Sequence, residues 1–113
     1  MRICRIFHFD SAHHICGHKG PCERPHGHTY RLEVTIEGEV GDDGMVMDFS
    51  KVKEIVEAEV VSKLDHDDLN SIMENPTAEN IVEWAWARLS GRLHLSSVKL
   101  WEGEGKWAEK VAE

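Results

Sequence analysis

Long apolar runs are missing from this chain of 113 residues. The longest is Trp84-Ala85-Trp86-Ala87, far short of the ~20 residues that a membrane helix needs. Cysteine is scarce: Cys4, Cys16 and Cys22 make an odd set of three, which gives no complete disulfide framework and points to a reducing compartment. The opening residues Met1 to Arg5 lack the apolar stretch of a signal peptide, so a cytoplasmic protein is expected. Positive charge is also short. Thirteen Lys and Arg face 21 Asp and Glu, for a net charge of −8. That balance argues against a nucleic-acid partner, whose binding rests on neutralised phosphates. It leaves room for a small anion in a local basic pocket. No repeat, linker or low-complexity tract divides the chain, and residues 1–113 are expected to form a single domain.

The elements that are present follow hydrophobic period. Residues 2–13, with Ile3, Cys4, Ile6, Phe7 and Phe9, predict a strand, with Cys4 packed in it. Residues 15–25 predict a loop, on its two glycines and two prolines. His28, Tyr30, Leu32, Val34 and Ile36 share one parity and predict a half-buried antiparallel strand. Phe49, Val52, Ile55, Val56, Val60 and Leu64 predict a helix from about 49 to 64, capped by Asp48 or Ser50. Thr77 is the expected N-cap of a second helix reaching about Ser90, with Ile81, Ala85 and Leu89 inward. Val98 to Trp101 predict a third strand, and Lys106 to Val111 a weaker fourth strand or tail. The order β-β-α-α-β-β gives an α+β fold, a four-stranded antiparallel sheet with two helices on one face. Free edges of so small a sheet suggest a homo-oligomer.

Histidine is plentiful. His13, His14, His18, His26 and His28 fall within residues 13–28. In His26-Gly27-His28 the two imidazoles lie two residues apart on a strand and therefore on one face. With His13 at the end of the first strand they form a candidate zinc site of three imidazoles with an open fourth position. A closed structural zinc site of Cys16, Cys22, His26 and His28 is the rival, although Cys-x5-Cys and His-x-His are not its usual spacings. Cys22 near a divalent cation could serve as a thiolate base or nucleophile. The Asp65-His66 pair could relay protons. Glu102, on the face of Val98 and Leu100, could accept the paired N–H donors of a guanidine-like ring edge.

Together these residues resemble the 6-pyruvoyl-tetrahydropterin synthase superfamily, and within it the 6-carboxy-tetrahydropterin synthase branch. The resemblance runs through Phe9-Asp10-Ser11-Ala12-His13, Cys22-Glu23-Arg24-Pro25-His26-Gly27-His28, Gly44 to Phe49, Leu64-Asp65-His66 with Leu69-Asn70, Asn75 to Asn80, and Glu102. It implies the tunnelling fold (T-fold), an oligomeric barrel in which trimers stack into a hexamer, a dimer of trimers. It implies a zinc-dependent enzyme acting on 7,8-dihydroneopterin triphosphate, giving 6-carboxy-5,6,7,8-tetrahydropterin, acetaldehyde and triphosphate on the route to queuosine or archaeosine. His13, His26 and His28 would bind Zn2+, Cys22 would be the base, and Asp65 with His66 the proton relay. Glu102 would anchor the pterin, with Thr77 and Glu79 as further contacts; Lys19 and Arg24 are candidates for the triphosphate. Gly103 stands where the family often has Thr. Glu23 matches a folate-route pattern, Glu-x2-His-Gly-His, whose product is 6-hydroxymethyl-7,8-dihydropterin. A folate-route or dual activity, a 6-pyruvoyl-tetrahydropterin synthase, and a non-catalytic zinc or pterin-binding protein remain the alternatives.

Overall fold

A computed structural model describes residues 1–15 and 24–113. Cys16, Lys19, Cys22 and Glu23, with the roles expected of them, lie outside the described residues. The elements are β1 (Arg2–His13), β2 (His26–Glu37), α1 (Phe49–Val56), α2 (Ala78–Leu89), β3 (Leu95–Glu102) and β4 (Trp107–Val111). The four strands form one sheet in the order β1-β2-β3-β4, with every neighbour antiparallel. The weak fourth segment is a true strand, pairing Ser97 with Val111 and Trp101 with Trp107. Among the described residues no helix is long and apolar enough to cross a membrane.

Strand alternation decides the faces. Phe7 and Phe9 on β1, Tyr30 to Ile36 at even positions on β2, and Val98 and Leu100 on β3 point toward the helices and are buried. They meet Val52, Ile55 and Val56 of α1 and Ile81, Val82, Ala85 and Leu89 of α2 in one core. Each Val, Leu, Ile or Phe side chain taken out of water contributes ~1.5–3 kcal/mol, which is what holds helices to sheet. Cys4 is the exception to expectation. Its parity is that of Ile6 and His8, on the face without helices, and it is exposed rather than packed.

The helices begin at predicted caps. The Asp48 carboxylate accepts from the Ser50 N–H at 2.8 Å, and Thr77 Oγ1 accepts from the Asn80 N–H at 3.1 Å. Phe49 fits the helical stripe but stays 52% exposed, because the first turn of α1 runs past the covered part of the core. The stretch after α1 departs from a plain helix. Glu57–Val61 form a π-helical turn before a last α turn, Ser62–Leu64. The Ser62 N–H bonds to the Glu57 carbonyl, five residues back. The Arg88 Nε on α2 donates to the Glu59 carbonyl within this turn at 2.6 Å. A π turn takes up an extra residue and rotates the next stretch of helix about its axis; here Leu64 still reaches the core, fully buried.

Candidate metal centre and ligand pocket

The inward faces of the strands turn polar at one end of the sheet. Ser11 and His13 continue the parity of Phe7 and Phe9, His26 and His28 that of Tyr30, and Glu102 that of Val98 and Leu100. Antiparallel register then sets the neighbours: His13 faces His26, Ser11 faces His28, and Tyr30 faces Glu102. The three imidazoles form a nearly equal-sided triangle, with centroids 4.6, 4.7 and 4.9 Å apart. One ligand atom from each lies within 4.8 Å of the others.

Hydrogen bonds define the protons. His13 Nδ1 lies 2.7 Å from the Pro76 carbonyl, and His26 Nδ1 lies 2.7 Å from the Arg24 carbonyl. A carbonyl only accepts, so each Nδ1 must carry a proton, and in the neutral ring each Nε2 keeps a lone pair. Those two Nε2 atoms are 3.1 Å apart. Two lone pairs at that distance repel unless a cation lies between them. Among the described residues, the buried His28 Nε2 has no hydrogen-bond partner. Loss of water lowers the pKa of His28; Glu102 opposes that shift, while His13, His26 and Lys106 add to it. A neutral ring is the form that ligates metal. The donor set thus fits a divalent metal ion, and His13, nearly fully buried, is its most buried member.

Glu102 stands beside the triangle, with Oε1 3.3 Å from His28 Nε2 and 3.5 Å from Lys106 Nζ. It borders a cavity of about 310 Å³ that Ile15, Thr77, Glu79, Lys106 and Trp107 also line. That volume is near the lower end of small-molecule sites, ~300–1,000 Å³. Thr77 and Glu79 therefore share a pocket with Glu102. Arg24 is exposed, and its carbonyl accepts from His26 Nδ1.

Asp65 and His66 sit elsewhere. His66 borders a second concavity of about 540 Å³ with Asp10, Gly27, His28, Thr29 and Asp68. Asp65 Oδ1 accepts from the Asp10 N–H and from His66 Nδ1, each at 3.0 Å. The Asp10 backbone donor, joined by His66, holds the Asp65 carboxyl below the usual carboxylate range. His66 has φ of 58° and its ring is 79% exposed. Left-handed backbone is rare for a residue with Cβ and tends to mark functional sites. Backbone bonds tie the whole loop to β1: His66 N–H to the Asp10 carbonyl at 2.6 Å, and Ala12 N–H to the Asp67 carbonyl at 3.1 Å. Ser11 Oγ adds a short bond to the Leu64 carbonyl. Among the described residues, His66 thus lines a different concavity from the one that Glu102 borders.

Sequence reasoning missed several supporting groups. The Tyr30 hydroxyl lies 3.3 Å from His13 Nδ1, fully buried beneath the imidazoles. Burial, then Glu102, raises its pKa and keeps it protonated. Its place two residues after His28 was the available signal. Lys106 could have been found from the glycine-bounded turn that returns it to Glu102. The Pro76 carbonyl left no trace in side-chain pattern.

The family model described as 6-pyruvoyl tetrahydropterin synthase matches residues 2–113. An Archaeoglobus fulgidus relative, provisionally named a 6-carboxy-5,6,7,8-tetrahydropterin synthase, is 47% identical over 102 residues, covering 89% of this chain and 87% of its own. A Pyrococcus furiosus relative, named a dihydroneopterin monophosphate aldolase, is 48% identical over 106 residues, with 90% of each covered. The solved structure of Caenorhabditis elegans 6-pyruvoyl tetrahydropterin synthase superposes with a TM-score of 0.89 at 24% identity, over 100% of this chain and 96% of that one. The sheet with two helices is therefore the T-fold, and the chain belongs to the 6-pyruvoyl tetrahydropterin synthase family.

Proposed function

We propose that this chain is a zinc-dependent lyase converting 7,8-dihydroneopterin triphosphate, with water, to 6-carboxy-5,6,7,8-tetrahydropterin, acetaldehyde and triphosphate. The observation that carries the reading is the triangle of His13, His26 and His28 with the Glu102 pocket beside it. The 3.1 Å between two Nε2 atoms is close to the ~3.3 Å edge of a tetrahedron with ~2.0–2.1 Å zinc–nitrogen bonds. When bound, zinc would supply Lewis acidity toward the hydroxyls of the substrate side chain. Glu102 would hold the 2-amino and ring N–H groups of the pterin, with Thr77 and Glu79 bordering the ring. Cys22 would take a proton from the side chain, and the Asp65–His66 pair would carry protons onward. Because His66 and Glu102 line different concavities within one chain, an assembly with sites between subunits suits the reading. A hexamer of two trimers, cytoplasmic like the pathway's small-molecule substrate, is the proposed form.

The Pyrococcus furiosus relative favours a second reading. Cleavage of a phosphorylated dihydroneopterin to 6-hydroxymethyl-7,8-dihydropterin would use Glu23, which stands next to Cys22. Product analysis separates the two. Purified zinc-loaded protein is incubated with dihydroneopterin triphosphate and, separately, with the monophosphate. The 6-carboxy product from the triphosphate, lost in Cys22→Ala and kept in Glu23→Ala, is the expected result. A 6-hydroxymethyl product from either substrate, lost in Glu23→Ala, would replace the first reading with the second. No turnover of either substrate would sink both.

A further inference from the structure

The turn after β3 brings an ammonium group to the carboxylate. Gly103 and Gly105 have φ of 71° and 81°, conformations that glycine adopts freely. They let the chain reverse so tightly that the Glu102 N–H bonds to the Lys106 carbonyl at 3.1 Å. That bond fixes the two residues opposite each other, and their side chains lie 3.5 Å apart on the rim of one cavity. Lys106 is 66% exposed, so its ammonium keeps donors free beyond Glu102.

We propose that Lys106 is a specificity residue that recognises the 4-oxo group of a 2-amino-4-oxopteridine. This rests on the pterin reading of the pocket. The edge of such a ring carries, in order, an amino donor, an N3–H donor and a carbonyl acceptor. A carboxylate answers the two donors. The acceptor beside them needs a cationic or neutral donor at the same spacing, and Glu102 with Lys106 presents that order: acceptor, acceptor, donor. Gly103 has no side chain with which to supply that donor. Among the described residues that line the cavity, the remaining ionisable group is Glu79, an acid that only accepts when charged.

Equilibrium binding of two unreactive ligands tests this on the zinc-loaded protein. One is 6-hydroxymethylpterin. The other is 2,4-diamino-6-hydroxymethylpteridine, in which an amino group replaces the 4-oxo group. Lys106→Met is expected to weaken 6-hydroxymethylpterin about tenfold, the worth of one charge-assisted hydrogen bond, and to leave the diamino ligand unchanged or tighter. Lys106→Arg keeps a charged donor and is expected to retain the parent preference. Lys106→Met weakening both ligands equally would show a role in neutralising charge alone and overturn the proposal, as would no change for either. Failure of the parent protein to bind 6-hydroxymethylpterin would instead overturn the pterin reading beneath it. Lys106 is largely exposed, so loss of the fold is not expected; circular dichroism of each variant confirms it.

Discussion

His66 offers a sharp test, because its backbone and its ring make opposite demands. At φ of 58° a Cβ crowds the following carbonyl, at a cost of ~1–2 kcal/mol. Glycine at this position escapes that cost but gives the unfolded chain more freedom, worth ~0.4–1 kcal/mol in the other direction. His66→Gly should therefore be more stable than His66→Ala by about 0.5–1 kcal/mol. Both variants lose the 3.0 Å contact between the ring and Asp65, so that contact cancels from the comparison. The order is the reverse of that in a helix or strand, where alanine is favoured. Urea unfolding at fixed protein concentration measures it. With a slope of ~1–3 kcal/mol per molar, the midpoint of the glycine variant should be higher by a few tenths molar. Turnover of the pterin substrate should fall about equally in both, by ~10²–10⁴, if the ring carries protons. An alanine variant as stable as the glycine variant would refute the strain argument. Full turnover in either would take His66 out of the chemistry.

Three further outcomes are expected. His13→Ala should lose bound zinc, since two imidazoles seldom retain it without a third protein ligand; metal analysis after dialysis finding full zinc would remove His13 from the site. Arg88→Ala should cost about 1 kcal/mol in thermal unfolding, because the bond from Arg88 Nε to the Glu59 carbonyl in the π turn is charged but partly exposed; unchanged stability would mean that the turn holds itself. Light scattering at micromolar concentration should give a multiple of the chain mass; a value near the 12.9 kDa of one chain would count against an oligomer.

The strands, both helix caps and the three imidazoles were legible because each comes from local pattern. Period two placed His26 and His28 on the face of Tyr30, and antiparallel pairing brought His13 to His26. The features that escaped were set by contacts between distant segments. The Pro76 carbonyl reaches His13 across 63 residues of sequence, and carries no side-chain signature. The π turn arises where Arg88 of another helix captures a carbonyl, which hydrophobic spacing cannot encode. Cys4 and Phe49 are apolar by composition but exposed, since a strand's outer parity and a helix's first turn outrun the core.

The loop tied to β1 has a consequence for the sheet's open side. Asp10 spends its outward N–H and carbonyl on Asp65 and His66, and Ala12 spends its N–H on Asp67. Backbone groups alternate along a strand, so Cys4, Ile6 and His8 turn theirs in the same direction as Asp10. The usable ladder on this side runs from Arg2 to His8, about 20 Å at ~3.3 Å per residue. The loop is thus an end-stop. A strand from another copy of the chain must halt before Asp10, so two sheets joined here are offset along their strands rather than flush. Offset joins of one sense, repeated around a ring, are what tilt strands and let a sheet close on itself.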